Sequence, residues 1–157
     1  MMSPATAALP SDREIVITRR FNAPREIVFE AWTRPEHIRH WWDPSRRPLA
    51  HCDIDLRIGG AFRFVNAGQS EGQSFAGTYI EIDPPALLVF TTPSPSGGES
   101  VGTLKFSTRG PETALTVTIK CPTKADRDAL LSMRVDAGTS RSLDNLAEYL
   151  GTLRRKG

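Results

Sequence analysis

The side chains best suited to hold a metal or attack a substrate are three histidines and two cysteines. His37 and His40 stand one helical turn apart, and His51 is followed directly by Cys52. A metal set needs donors that converge on one point. Strand alternation sends His51 and Cys52 to opposite faces, and no closely spaced carboxylate completes a set. The pattern therefore reads as surface histidines, with no metal and no cofactor required. Nucleophilic catalysis has no better footing: there is no Gly-x-Ser-x-Gly elbow, and neither Cys52 nor Cys121 sits at a recognisable helix start beside a base. No catalytic residue is assigned. Two isolated cysteines in strand-like runs read as buried thiols of a cytoplasmic protein.

Asp55 and Arg57 form the other chemically suggestive pair, and their use depends on the loop that follows. If Gly59-Gly60 is a two-residue turn, Arg57 opposes Phe62 and Asp55 lies near Phe64, which gives an aromatic face a polar handle. If Ala61 joins the loop, Ile58 opposes Phe62 and the charges face water. Patterning favours the second arrangement.

The elements that would position these groups are legible from periodicity. Met1 to Asp12 has neither a basic leader nor a long apolar run, and is expected to be a disordered tail ahead of one domain spanning 13–157. Ile15 to Phe21 reads as a strand. In the next segment Pro24 suits a first helical turn, with Ile27, Val28, Ala31 and Trp32 on one face. Thr33-Arg34-Pro35-Glu36 has capping-box spacing, ahead of a second short helix carrying Ile38, Trp41 and Trp42. Cys52, Ile54, Leu56 and Ile58 alternate with polar residues, Gly59-Gly60 breaks the run, and Phe62 and Phe64 resume it. Further strands are expected over Phe75 to Ile82, Leu87 to Thr92, Val101 to Thr108 and Ala114 to Lys120. From Lys124 the period becomes helical, with Leu143, Leu146, Ala147, Leu150 and Leu153 on one stripe and Gly138 as an interruption.

A chain of 157 residues buries about 70% of its extended surface, enough for a core without staples. Net charge is +2 and the basic residues are scattered, so the electrostatic footprint of nucleic-acid binding is missing. No apolar run is long enough to span a bilayer.

The order strand, two short helices, six strands, long helix is that of an α+β helix-grip fold: a curved antiparallel sheet of about seven strands wrapped around a C-terminal helix. The motifs Phe21-Asn22-Ala23-Pro24, Val28-Phe29-Glu30-Ala31-Trp32-Thr33-Arg34-Pro35-Glu36, Trp41-Trp42-Asp43-Pro44, Asp55-Leu56-Arg57-Ile58-Gly59-Gly60-Ala61-Phe62 and Gly77-Thr78-Tyr79-Ile80-Glu81-Ile82 occur in sequence. From about Ile15 to Leu150 the chain resembles the homologues of the ATPase activator of the ninety-kilodalton heat-shock chaperone, within the START-like, birch-pollen-allergen-like (Bet v 1-like) superfamily. Members usually place a Gly-Trp pair before a Leu-Asp-x-Leu helix; here Gly138 is followed by Thr139, ahead of Ser142-Leu143-Asp144-Asn145-Leu146. The missing indole is expected to alter that part of a cavity wall.

Such a sheet cannot press its whole concave face on one helix, so a gap is expected, either filled by side chains or kept for a guest. A few hundred Å3 left empty would cost several kcal/mol at about 24 cal/mol per Å3. The candidate lining is Trp41, Trp42, Phe62, Phe64, Phe75, Tyr79, Phe90, Phe106, Val117 and Met133. Aromatics give large contact area with few rotors, which suits a small apolar or aromatic ligand bound without chemistry. The resemblance carries two alternatives: polyketide cyclase or aromatase chemistry using Tyr79, His51, Asp55 or Arg57 as cavity acid or base, and contact with a chaperone. Oligomeric state, a homodimer included, is left open by the sequence.

Overall fold

The computed structural model describes residues 6–68 and 74–156. Strands β1 (Thr6–Ala8), β2 (Glu14–Phe21), β3 (His51–Ile54), β4 (Ala61–Val65), β5 (Phe75–Asp83), β6 (Leu87–Pro93), β7 (Glu99–Arg109) and β8 (Glu112–Lys120) form one antiparallel sheet. Its order is β1-β2-β8-β7-β6-β5-β4-β3. Helices α1 (Arg25–Thr33) and α2 (Pro35–Trp41) follow β2, and α3 (Lys124–Ser132) and α4 (Val135–Lys156) close the chain. This is the expected helix-grip plan with one strand more than about seven.

The extra strand lies in the expected tail. Thr6 pairs with Thr18 and Ala8 with Val16, and Arg127 Nη1 donates to the Ser11 carbonyl at 2.8 Å, so the segment is tied down at both ends. A three-residue strand of alanines and threonine carries no alternation, which is why periodicity misses it. Met1 to Ala5 of that expectation lie outside the described residues.

Helix punctuation also differs from expectation. Pro24 is the N-cap of α1, one step before the helix, and Ile27 is partly exposed while Val28, Phe29, Ala31 and Trp32 are buried. The capping box does not form: Thr33 Oγ1 donates back to the Phe29 carbonyl at 3.0 Å, and Arg34 is the N-cap of α2 with Pro35 in its first turn. Proline there forces Arg34 into extended backbone, which spends Thr33 on the previous helix. The terminal helix breaks at Met133-Arg134, where Arg134 has φ of 58°, and not at Gly138, whose N–H donates to the Arg134 carbonyl inside α4.

The core lies between the concave face and the helices. Ile15 and Ile17 of β2, Leu104 and Phe106 of β7 and Leu115 and Val117 of β8 are buried against Val28 and Phe29 of α1 and Leu143, Leu146 and Leu150 of α4. Arg19 of β2 is ion-paired with Asp144 of α4, and Thr113 Oγ1 donates at 2.7 Å to the carbonyl of Ala23 in the turn that leads into α1.

Candidate functional site

Alternation along β4, β5 and β6 brings Phe62, Phe64, Phe75, Tyr79, Leu88 and Phe90 to the concave face, where β7 adds Leu104. Phe62 is the hub: its ring centroid lies 5.3 Å from Phe64, 5.6 Å from Phe75, 5.2 Å from Tyr79 and 5.2 Å from Phe90. Two of these rings owe their posture to glycine. Gly77 is the cross-strand partner of Phe62, and a Cβ there would sit 2.7 Å from Phe62 Cζ and 2.2 Å from the Thr91 carbonyl oxygen. Gly102 faces Phe90, and its Cβ would come within 2.4 Å of Phe90 Cε2. Each ring lies over bare backbone, a close approach that any larger residue would prevent.

From the helical side come Trp32, Ile38 and Trp42. The indole of Trp42 sits 5.0 Å from Phe64 and 5.1 Å from Phe75, and that of Trp32 meets Trp42 edge-on at 6.0 Å. The C-terminal helix holds this end of α2 in place. Ser142 Oγ donates to the Trp42 carbonyl at 2.6 Å, and Asn145 Nδ2 to the carbonyls of Asp43 at 3.0 Å and Trp41 at 3.4 Å. The last carbonyls of a helix need such partners. The Ser142 to Leu146 motif thus divides its labour: Leu143 and Leu146 fill the core, Asp144 pairs with Arg19, and Ser142 and Asn145 aim Trp42.

Between sheet and helices these rings leave a gap of about 20 Å3. That is the size of one water site, far from the few hundred Å3 expected, and at about 24 cal/mol per Å3 it costs only about 0.5 kcal/mol. The interior is largely filled by the protein's own aromatics. Filling is uneven, however: Phe75, at the start of β5, remains 36% exposed and Trp42 is only partly buried, whereas Phe62 and Phe64 are enclosed. The larger hollow, about 330 Å3, is a separate depression lined mostly by polar residues, among them Asp43, Ser45, Arg47, Asn66 and Arg141.

Two features of the residues that line the gap are polar. Burial raises the pKa of the Tyr79 hydroxyl, with the neighbouring Cys52 thiol adding to the rise, and burial pushes Cys52, followed in size by the charge of Asp53, up to about 11. Both stay protonated at neutral pH. The second feature is the Trp32 Nε1–H, buried without an acceptor among the described residues. A buried unpaired donor costs about 1–3 kcal/mol.

The remaining sequence candidates lie elsewhere. Trp41 is fully buried behind the gap, its Nε1 donating to the Ala31 carbonyl at 3.1 Å. Phe106 and Val117 belong to the aliphatic end of the core, Phe106 against Phe29 at 5.3 Å. Met133 caps α3 and is 67% exposed. Thr139 is half-buried on α4 and is not among the residues lining the gap. Asp55 and Arg57 pair with each other at 2.9 Å on the surface, away from the gap. Ile54 opposes Phe62, and the Asp55 N–H donates to the Ala61 carbonyl, so the β3–β4 loop is longer than either expected turn. Two histidines meet at Tyr149, His37 Nδ1 sharing a 2.7 Å hydrogen bond with its hydroxyl and His40 stacking on its ring, while His51 lies apart and pairs with Asp53.

An eight-stranded antiparallel sheet gripping a long terminal helix, with two short helices plugging an aromatic end, defines a START-like (SRPBCC) helix-grip protein. Residues 22–151 match the family described as activator of Hsp90 ATPase homolog 1-like protein, and the chain belongs to that family. Among solved structures it is similar to a protein from Rhodobacter sphaeroides (24% identity, TM-score 0.83, covering 95% of this chain and 99% of the other). It is also similar to a protein from Nitrosomonas europaea (21%, 0.82, 94% and 99%) and to one from Mycobacterium smegmatis (19%, 0.75, 98% and 99%). At these identities the likeness establishes the fold. No match is found among the curated proteins. No helix of the described residues is long and apolar enough to cross a membrane.

Proposed function

We propose that this protein binds a small apolar or aromatic molecule, without transforming it, in a space made by displacing Phe75 and Trp42 from the aromatic end of the concave face. The observation that carries the reading is the unequal enclosure of one ring cluster: Phe62 and Phe64 are buried while Phe75 and Trp42, packed against them, are partly open to solvent. A guest ring that replaces Phe75 against Phe62 restores the same contacts and covers more apolar surface, worth roughly 25 cal/mol per Å2. Binding is favoured over acid–base catalysis by the wall itself. Among its described residues only Tyr79 titrates, and burial holds its proton in place.

The test is a thermal-shift screen with compact aromatic and aliphatic compounds, backed by native mass spectrometry of protein isolated from its source. Stabilisation by aromatics that grows with concentration, or an unaltered small molecule retained on the protein, is the expected result. A chemically altered guest would point to the cyclase-type alternative, a co-purified chaperone to an interaction role, and no shift across the screen would remove the binding reading.

A further inference from the structure

We infer that the guest of this gap carries a hydrogen-bond acceptor, a carbonyl or ether oxygen on a compact apolar body, and that Trp32 Nε1–H donates to it. This rests on the proposed binding function and narrows it to a ligand class.

Trp32 walls the gap, yet it is 7% exposed and its N–H finds no acceptor among the described residues. Its neighbour Trp41, buried more deeply, has its own N–H satisfied by the Ala31 carbonyl, so the local backbone is able to serve an indole and does so for only one of the two. The ring of Trp32 cannot turn to find solvent. It is held edge-on by Trp41 at 4.8 Å and by Trp42 at 6.0 Å. An indole nitrogen donates and never accepts, so it favours a molecule with an exposed oxygen lone pair over the matching hydrocarbon. A lone water is a poor substitute, because a buried water needs two to four polar partners and the side chains of the described lining residues offer, besides the indoles, only the hydroxyl of Tyr79. A polar group in an otherwise apolar pocket fixes orientation and gives specificity.

The test uses acetophenone and ethylbenzene, which match in shape and differ in the carbonyl, titrated into the wild type and into Trp32→Phe, with thermal melting to check that the variant folds. The ratio of acetophenone to ethylbenzene affinity should fall about tenfold in the variant, the loss of one hydrogen bond. In the wild type the backbone-assigned indole N–H resonance of Trp32 should move downfield with acetophenone and stay in place with ethylbenzene, a readout that survives even if the variant does not fold. Equal binding of both compounds, with no selective movement of that resonance, overturns the acceptor inference and leaves the binding reading standing. Failure of both compounds to bind the wild type overturns the two together.

Discussion

The two ends of the concave face are built from one sheet and filled in opposite ways. Toward β2, β7 and β8 the filling is mostly aliphatic: Ile15, Ile17, Leu115, Leu143 and Leu146 are fully buried, and Arg19 with Asp144 pins α4 across them. Toward β4, β5 and β6 it is aromatic, with rings laid over Gly77 and Gly102, an outermost ring left partly in solvent, and an indole N–H without a partner among the described residues. Branched aliphatics interdigitate closely, whereas flat rings of few rotors lean on one another and, on the proposed reading, are exchanged for another flat body. The same curved sheet is thus filled at one end by branched side chains and at the other by rings that leave a gap of about 20 Å3.

Four single substitutions, one of them also combined with a second, test that contrast. The largest effect belongs to the aliphatic end: Leu146→Ala should cost about 2–5 kcal/mol in chemical denaturation, with probe affinity unchanged where the protein remains folded. A loss of binding selective to this variant would mean that the two ends are not separate. Next, Gly102→Ala places a methyl group 2.4 Å from Phe90 Cε2, so the ring must swing into the gap. About 1–3 kcal/mol of stability and most aromatic binding should go together, and Phe90→Leu in the same chain should recover stability. Phe75→Ala should cost only about 1–2 kcal/mol, because a third of the residue is already in solvent, while tightening aromatic probes several-fold by removing the plug. Weaker binding instead would make Phe75 part of the wall. The smallest effect is a gain. Gly138 lies inside α4 with negative φ, and an added methyl group there would meet only Pro44 Cγ, at 3.9 Å, so Gly138→Ala should raise stability by about 0.5–1 kcal/mol without touching binding.

The same contrast explains what the sequence makes legible. Alternation assigns Phe62, Phe64, Phe75, Tyr79 and Phe90 to one face, and together with Trp42 they line the gap. It says which face but not which end, so Phe106 and Val117, equally inward, fall in the aliphatic half. Trp32 reads as helix core on its spacing and is missed as a lining residue, as are Ile38, Leu88 and Leu104. The signal that could have found the ring postures is a glycine set across the strands from a phenylalanine, Gly77 from Phe62 and Gly102 from Phe90, but it needs the register. Patterning does place Asp55 and Arg57 in water, where they pair, but not the loop that carries them: the length of the β3–β4 loop is set by bonds such as Gly59 N–H to the Tyr79 carbonyl, a partner twenty residues away that no local pattern announces.

We propose that the aromatic end opens while the aliphatic end does not. A structure determined with acetophenone at saturating concentration tests it directly. The guest should lie against Phe62 with Phe75 and Trp42 moved aside, and with Leu143, Leu146 and the Arg19–Asp144 pair where they are now. A guest found elsewhere, or a gap that stays at its present size under saturation, would mean that the aromatic end is closed as well.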